Sequence, residues 1–326
     1  MKKILFVCGG TGGHVFPAVA VAENLVDSYD IVFAGRAAPS MEEKLLSSKF
    51  DYRHIKAVPL ARHSIIKNLL LPLSLLSCVL GAMKLLKQEN PEFIVGTGGY
   101  VALPIMLAAI LKRIPFYVIE PNAVMGIANK ICAKFAKKVY IASPVRKMPE
   151  NLPAPKAFAD DKKFRILITG GSQGALGINR KIEQIIEKLE NVSVVWQVGA
   201  KNVDKYKHPS AVAFLDNIYA YMQHANLIIS RSGASTLAEI LAFGKPSILL
   251  PYPYATANHQ EYNARAVEKE GAAYVELDKE PNGLFEKITA LMNDREKLAV
   301  MSKKAGELGE LNRKAAGEIA RDICST

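Results

Sequence analysis

The chain has 326 residues, of which 50% are hydrophobic and 22% charged, with one Trp and 17 Pro in no repeating pattern. This composition excludes collagen-like, disordered and disulfide-stapled chains and is typical of a two-domain globular α/β protein. Because Cys8, Cys78, Cys132 and Cys324 are far apart and form no CxxC pair, we expect neither a disulfide framework nor a zinc site, which favours a reducing cytoplasm.

The net charge of +11 is concentrated in the first half of the chain. Residues 1–147 carry 19 Lys and Arg against 9 Asp and Glu, whereas residues 148–326 carry 23 against 22. A one-sided positive field predicts an anionic partner for the first half, which is a nucleic acid, a phosphorylated substrate or an anionic membrane face. A surface whose charge only improves solubility is the alternative.

Short apolar runs alternate with amphipathic stretches over residues 1–147, which predicts βαβ units and a parallel sheet. The first run meets the turn Gly9-Gly10-Thr11-Gly12-Gly13 after a few residues, so it is predicted to be a buried strand and not a signal peptide. The predicted strands cover residues 3–8, 31–34, 93–96, 116–119 and 139–142, and the predicted helices cover residues 18–27, 41–48 and 101–111.

A leucine-rich, uncharged stretch covers residues 68–83 and is interrupted by Pro72 and Gly81. It is too short for a transmembrane helix, which needs ~20 residues. One interpretation is an apolar surface with a basic rim that rests on anionic lipid headgroups, and the other is an ordinary helix buried against the sheet. Under the first interpretation, the residues that contact the membrane include Ile65, Ile66, Leu69, Leu70 and Leu73.

The pattern of strands and helices restarts after residues 148–163, a Pro-containing segment that is predicted to be an interdomain linker. The second set of predicted strands covers residues 164–169, 192–198, 227–230 and 247–251, and the second set of helices covers residues 178–189, 235–243 and 260–271. We therefore predict two Rossmann-like, doubly wound parallel-sheet domains that face each other across a cleft. They cover residues 1–147 and 164–309, and a C-terminal helix at residues 310–326 is expected to pack back on the first domain.

Four glycine-containing turns follow predicted strands and lead into helices, at residues 9–13, 96–99, 170–174 and 232–236. Such turns let backbone N–H groups and a helix dipole bind phosphate, although simple close packing is the alternative at each. No GxxxxGK[ST] motif is present, which excludes a P-loop NTPase. The dinucleotide fingerprint lacks its third glycine and its acidic residue, which disfavours NAD and leaves NADP, bound through Arg36, as a weaker alternative.

The turn at residues 232–236 carries the most specific chemistry. Ser235 and Thr236 offer hydroxyls to a phosphate, and Glu239 lies three residues further on nearly the same helix face, where it would accept both hydroxyls of a ribose. A helix-capping box formed by Thr236 and Glu239 is the alternative. Arg231 is expected either to neutralise a diphosphate or to form a surface salt bridge.

Four motifs occur in order along the chain. They are Gly-Gly-Thr-Gly-Gly-His-Val-Phe-Pro-Ala at residues 9–18, Gly98-Gly99-Tyr100-Val101, and the segments 170–175 and 231–239. Over residues 1 to about 275, the chain thereby resembles the MurG family of GT-B glycosyltransferases. The resemblance implies inverting transfer of N-acetylglucosamine (GlcNAc) from UDP-GlcNAc to the MurNAc C4 hydroxyl of lipid I, undecaprenyl-pyrophosphoryl-MurNAc-pentapeptide. Because the sequence has no DxD motif or His/Asp cluster to bind a metal, we expect this transfer to be metal-independent. The implied product is lipid II for peptidoglycan synthesis, made at the cytoplasmic face of the cell membrane with no cofactor and no nucleic acid.

The resemblance also implies the residues of the site. The implied donor-binding residues are Thr11, Gly12, Gly13, Asn122, Arg146, Ser172, Leu215, Arg231, Ala234, Ser235, Thr236, Leu237, Ala238, Glu239 and Gln260, and the implied acceptor loop is Gly98, Gly99 and Tyr100. His14 is the expected general base, and Glu120 is a competing carboxylate.

Two segments depart from the family pattern. Glu120 and Asn122 lie in Ile-Glu-Pro-Asn where the family has His-Glu-Gln-Asn, and Arg146 follows Ala-Ser-Pro-Val where the family has Gly-Asn-Pro-Val. Two other functions stay open: a related GT-B enzyme that glycosylates another lipid such as diacylglycerol, and a non-catalytic nucleotide-binding protein at the membrane surface.

Overall fold

A computed structural model describes residues 1–37, 40–58, 71–160 and 162–325 of the chain. The chain forms two compact units, of which the first comprises Met1–Arg146 and Arg313–Thr326 and the second comprises Lys147–Asn312. Each unit contains one six-stranded sheet. All strand pairs described in both sheets are parallel.

The sheet of the first unit has the strand order β3-β2-β1-β4-β5-β6. Its strands are β1 Lys3–Val7, β2 Asp30–Gly35, β3 Asp51–His54, β4 Phe93–Gly96, β5 Phe116–Glu120 and β6 Lys138–Ile141. Its helices are α1 Gly12–Ala22, α2 Met41–Leu46, α3 Leu71–Glu89, α4 Gly99–Lys112 and α5 Ile127–Ala133. The strand order reverses between β1 and β4, so the turns after these two strands lie at the topological switch point, where open α/β sheets bind ligands.

Both faces of this sheet are covered, which explains why its strands are continuous apolar runs. Helix α1 and the C-terminal turns of the last helix pack on one face, where Ile319 and Ile323 join the core around Phe6 and Phe33. Helices α3, α4 and α5 cover the other face. The last helix is tied to the sheet edge by its Asp322, which accepts a hydrogen bond from Tyr140.

The sheet of the second unit has the order β12-β11-β10-β7-β8-β9, and its switch point lies between β7 and β10. Its strands are β7 Phe164–Thr169, β8 Val192–Gln197, β9 Ala211–Val212, β10 Leu227–Ser230, β11 Ser247–Leu249 and β12 Ala273–Val275. The remaining helices are α6 Leu176–Glu183, α7 Ile218–His224, α8 Ala234–Ala242, α9 His259–Lys269, α10 Leu284–Asn293 and α11 Arg295–Cys324. The boundary between the two units falls within α11.

The predicted fold class, two doubly wound parallel sheets, is confirmed, whereas some element bounds were wrong. Helix α1 begins at Gly12 and not at residue 18, because burial of Val15 and Val19 against the sheet outweighs the poor helix propensity of its glycines and of Pro17. The shift places His14 in the first turn of the helix. Part of the expected linker is also packed structure, since Phe158 is buried in the core of the second unit.

Candidate active site

The turns after β1 and β4 contact each other in the first unit. Gly98 and Gly99 both have positive φ, +90° and +80°. A Cβ on Gly99 would lie 3.1 Å from the carbonyl oxygen of Gly9, tighter than ordinary packing allows. Glycine at this position therefore meets two requirements, a left-handed backbone and a close approach between the two turns.

His14 lies beside this contact with a defined ring orientation. Its Nδ1 is 2.7 Å from the carbonyl oxygen of Thr97. Because a carbonyl oxygen only accepts hydrogen bonds, Nδ1 carries a proton, and the lone pair of the neutral ring is on Nε2. A Cβ on Gly99 would lie 3.5 Å from Nε2, so this edge of the ring borders the Gly98-Gly99 turn. The imidazole thus has the tautomer that a base acting through Nε2 needs.

Glu120 is only 1% exposed and is surrounded by donors. Its Oε1 accepts hydrogen bonds from the backbone and side-chain amides of Asn122, at 3.0 and 2.9 Å. Its Oε2 accepts from the backbone N–H of Gly126 and from Asn129, at 3.0 and 2.9 Å. A carboxylate with four donors orders the loop after β5, and its oxygens are not placed to take a proton from a substrate. This geometry argues against Glu120 as the general base.

Glu42, which the sequence did not single out, is buried beneath the turn after β1. Its Oε1 accepts a hydrogen bond of 2.8 Å from Nε of Arg36, whose guanidinium lies 6.0 Å from the ring centroid of Tyr100. Burial raises the pKa of Glu42, but its hydrogen bonds with Arg36 and with backbone N–H groups, including that of Gly10, outweigh burial, and its pKa lies below the usual value. Binding of a 2′-phosphate by Arg36 would weaken the ion pair of a buried carboxylate, which argues against the NADP alternative.

In the second unit, a cavity of about 1010 Å³ opens at the switch point of the sheet. Its wall includes the glycine turn after β7 and the turn after β10. Three of the expected donor-binding residues line it, namely Arg231, Thr236 and Gln260. The expected nucleotide site and the cavity therefore coincide in part.

The glycine turn after β7 is rigidly built. Gly171 and Gly174 have positive φ, +82° and +72°, and a Cβ on Gly174 would overlap the carbonyl of Val198. The side-chain amide of Gln197 donates a hydrogen bond of 2.8 Å to the carbonyl of Gly171. Ser172 is exposed in this turn.

Of the two roles expected for Arg231, the structure shows a salt bridge, although the pair is largely buried and not at the surface. Its guanidinium forms a two-point ion pair with Asp278, at 2.8 and 3.0 Å, and donates to the carbonyls of Leu250 and Pro251. A Cβ on Gly177 would overlap the carboxylate of Asp278, so α6 packs directly over this pair. Because Asp278 already balances its charge, Arg231 clamps two loops of the cavity wall, and this argues against its neutralising a diphosphate.

Gln260 is held in an orientation that suits a sugar. Its Oε1 accepts the backbone N–H of Tyr252 at 3.0 Å, so its NH₂ group is directed elsewhere, and its Nε2 lies 3.8 Å from a Cβ built on Gly233. The hydroxyl of Ser232 donates to the carbonyl of Gln260 at 2.7 Å, which ties the start of α9 to the turn after β10. The amide thereby presents donors at the cavity wall, and hydroxyl oxygens are suitable acceptors.

Helix α8 begins at Ala234 behind its N-cap Gly233, which has no side-chain capping bond. The capping-box alternative for Thr236 and Glu239 is therefore wrong. Glu239 instead accepts a hydrogen bond of 3.0 Å from the hydroxyl of Tyr219 on α7. Ser235 and Thr236 lie in the first turn, whose N–H groups favour an anion.

Three of the expected donor-binding residues have buried side chains, so a contact with the donor would have to use their backbone groups. Leu237 and Ala238 are buried on the inner side of α8, and Leu215 is buried in the core around Phe158. Next to Leu215, the ring of Phe214 is exposed and is the apolar group that faces solvent there. The helical period of the apolar residues identifies the two positions on α8 as buried, because both lie on its apolar face.

The other expected site residues belong to the first unit or fall outside the described residues. Thr11 is exposed and precedes Gly12 and Gly13, which open α1. Arg146 forms an ion pair with Glu23 at 3.3 Å. Ile65, Ile66, Leu69 and Leu70 lie outside the described residues. Among the residues that are described, no three His, Cys, Asp or Glu side chains form a group that could hold a metal ion.

Comparison with known proteins decides the family. Residues 4–141 match the glycosyltransferase family 28 N-terminal domain, and residues 165–322 match the glycosyltransferase family 28 C-terminal domain. The chain belongs to glycosyltransferase family 28. Its two family 28 domains correspond to the two sheets, and the resemblance to MurG is confirmed.

Relatives of this family 28 enzyme cover nearly its whole length. A protein of Carboxydothermus hydrogenoformans is 34% identical over 97% of this chain and 95% of its own, and one of Coxiella burnetii is 34% identical over 95% of each chain. Both are named UDP-N-acetylglucosamine–N-acetylmuramyl-(pentapeptide) pyrophosphoryl-undecaprenol N-acetylglucosamine transferase. The crystal structure of Acinetobacter baumannii MurG is 28% identical and superposes with a TM-score of 0.80 over 100% of both chains. The glycosyltransferase of kitacinnamycin, at 16% identity and a TM-score of 0.75, shares the fold.

Proposed function

We propose that this family 28 glycosyltransferase transfers GlcNAc from UDP-GlcNAc to the MurNAc C4 hydroxyl of lipid I and releases UDP and lipid II. The observation that carries the proposal is the match, over 97% of the chain at 34% identity, to a relative that bears this activity in its name. The geometry of each unit supplies one of the two functions that the reaction requires, anion binding and proton acceptance.

The second unit supplies the donor site in this proposal. The glycine turn after β7 and the first turn of α8 direct backbone N–H groups toward the region of the cavity, where they bind the diphosphate and stabilise the charge of departing UDP. Glu239, oriented by Tyr219, accepts the ribose hydroxyls, and the NH₂ group of Gln260 donates to hydroxyls of GlcNAc. Diphosphate binding by backbone dipoles needs no metal ion.

The first unit supplies the base. The C4 hydroxyl oxygen of the acceptor attacks the anomeric carbon, the bond from that carbon to the β-phosphate oxygen breaks, and the hydroxyl proton moves to Nε2 of His14. One displacement inverts the anomeric centre, from α in the donor to β in the product. The Gly98-Gly99-Tyr100 loop, which borders Nε2, positions the acceptor.

An acceptor competition tests this function against its two alternatives. The purified protein is given UDP-GlcNAc with lipid I, with diacylglycerol or with no acceptor, and GlcNAc-lipid and UDP are both measured. We expect product with lipid I alone, and an equal rate in EDTA and in added Mg²⁺ because backbone amides and helix dipoles bind the diphosphate. Transfer to diacylglycerol but not to lipid I would contradict the proposed acceptor. UDP binding without any transfer would contradict the proposed enzymatic activity, and a rate that requires Mg²⁺ would contradict diphosphate binding without a metal ion.

The first unit also carries a surface suited to a membrane. Helix α3 buries Val79, Leu85 and Leu86 against the sheet but exposes leucines on its outer side, at positions 73, 76 and 80. The helix therefore packs on the sheet, as one sequence interpretation predicted, and still presents an apolar outer face, as the other did. In the described part of the chain, no helix has the length and apolarity needed to cross a bilayer.

Helix α5 extends this outer face. Helix α4 lies between α3 and α5 on the same side of the sheet, and α5 exposes Ile127 and Ile131, with Phe135 just beyond its end. Lysines alternate with these apolar side chains, at positions 130, 134 and 137. Apolar groups with interspersed cations are the combination that binds anionic lipid surfaces, so we propose that α3 and α5 contact the cytoplasmic face of the membrane.

Replacing Leu73 and Leu76 together with Glu should abolish most binding to vesicles of phosphatidylglycerol and phosphatidylethanolamine, because it removes insertion and adds repulsive charge. High salt should weaken binding of the unmodified protein only in part. UDP affinity should not change, since the nucleotide site belongs to the second unit. Vesicle sedimentation with a thermal melt measures these effects.

The matched control is the pair Val300→Glu and Leu311→Glu on α11 in the second unit. Val300 and Leu311 are 54% and 65% exposed, which is similar to the 67% and 56% of Leu73 and Leu76. This control pair should bind vesicles like the unmodified protein. Equal loss of vesicle binding in both double variants, or no loss in either, would show that α3 does not contact the membrane.

A further inference from the structure

Thr97 forms three hydrogen bonds between the turn after β4 and its neighbours. Its N–H donates to the carbonyl of Val7 at 3.1 Å, its hydroxyl donates to the carbonyl of His14 at 2.8 Å, and its own carbonyl accepts Nδ1–H of His14 at 2.7 Å. The residue is fully buried, with 0% exposure. One side chain and its peptide group thus contact both the backbone and the ring of the same histidine.

These two contacts fix different degrees of freedom. The bond from the Thr97 hydroxyl sets the distance between the first turn of α1 and the turn after β4. The bond to the Thr97 carbonyl then sets the rotation of the ring and its tautomer, because a donor at Nδ1 requires the lone pair at Nε2. A buried carbonyl here does what a buried carboxylate does in a Ser-His-Asp triad, which is to hold the imidazole in the tautomer that accepts a proton.

The carbonyl itself is rigidly placed. The Thr97 N–H bond ties the turn to the end of β1. On the other side, a Cβ on Gly98 would lie 2.6 Å from Nδ2 of Asn129, and Asn129 is in turn bonded to Glu120. The peptide group that orients His14 is therefore packed between β1 and the buried network around Glu120.

We infer that Thr97 is a positioning residue for the transfer reaction, whose hydroxyl and carbonyl together hold His14 with Nε2 as its proton-accepting nitrogen. The inference rests on the proposed function, in which Nε2 of His14 takes the proton of the acceptor hydroxyl. It goes further by naming the group that fixes the state of the base.

The first measurement does not depend on activity. In the full-length protein labelled with ¹⁵N at histidine, with His14→Gln used to assign the signal, the neutral His14 ring should show the Nδ1–H tautomer. In Thr97→Val, which keeps the shape of Thr but lacks the hydroxyl, the Nε2–H tautomer should gain population, because the turn no longer holds its carbonyl against the ring. An Nε2–H tautomer in the unmodified protein would overturn the inference.

The second measurement is kinetic. Thr97→Val should lower kcat about tenfold, on the order of what misplacing a catalytic group costs, with the KM for UDP-GlcNAc unchanged. Thr97→Ser, which restores the hydroxyl, should recover most of kcat. Equal losses in the two variants would indicate packing alone and overturn the inference, as would unaltered kcat in a folded Thr97→Val.

The two proposals can fail separately. If Thr97→Val melts too early to assay, Thr97→Ala and the spectrum of the unmodified protein still decide the matter. Absence of transfer to lipid I by the unmodified protein would contradict the proposed function, whereas a correct tautomer in that same sample would leave the role of Thr97 in holding His14 supported.

Discussion

His14→Gln should lower kcat for GlcNAc transfer by about 10²–10⁴-fold, the range that a general base contributes. Glutamine retains a polar side chain of similar reach but offers no nitrogen that accepts a proton near neutral pH. The KM for UDP-GlcNAc and the affinity for UDP should stay close to those of the unmodified protein, because the donor site belongs to the second unit. Steady-state kinetics and calorimetric titration with UDP measure the two effects.

The comparison with Glu120→Gln separates the two candidate bases. Glu120 accepts four hydrogen bonds in a buried position, so the neutral amide loses acceptor capacity and should lower the melting temperature of the first unit. His14→Gln should leave the melting temperature nearly unchanged while activity is lost. A His14→Gln protein that retains more than a tenth of kcat would exclude His14 as the base.

The strands were the most predictable part of the fold. Strands β4, β7 and β10 begin and end at the predicted residues, because each is a continuous apolar run bounded by a turn. Helix α1 was placed six residues too late, since its glycines and proline are unfavourable in isolation and only tertiary burial makes them helical. The local sequence therefore predicts the bounds of strands that are buried on both faces more accurately than those of a helix that begins in a glycine turn.

The residues of the site differ in the same way, because some are recognisable from short motifs and others depend on contacts between distant parts of the chain. The glycine turns and the position of Glu239 on α8 follow from short motifs, which is why the sequence located them. The role of Arg231 does not, because its partner Asp278 is 47 residues further along the chain and only the sheet brings the two together. Glu42 belongs to no motif, and Thr97 lies in the turn at residues 96–99 that the sequence located, but the roles of both depend on contacts that only the fold creates.

Glu239→Ala should weaken UDP binding by ~1.5–3 kcal/mol, roughly ten- to a hundredfold in Kd, the scale of a lost hydrogen bond to a charged acceptor. Its carboxylate lies on the second turn of α8, where the hydroxyl of Tyr219 orients it. Tyr219→Phe should cost only a few-fold, because it loosens the carboxylate without removing it. Glu296→Ala, an exposed glutamate on α11, is the matched control and should bind UDP like the unmodified protein.

A thermodynamic cycle with 2′-deoxy-UDP identifies the contact itself. If Glu239 accepts the ribose hydroxyls, the unmodified protein should bind 2′-deoxy-UDP more weakly than UDP, whereas Glu239→Ala should bind the two nucleotides almost equally. If Glu239 only supports the helix, the loss of affinity for 2′-deoxy-UDP relative to UDP should be the same in both proteins. Calorimetric titration of the four combinations measures the coupling energy, and a coupling near zero would assign the ribose to other residues, because a direct hydrogen bond disappears when either of its partners is removed.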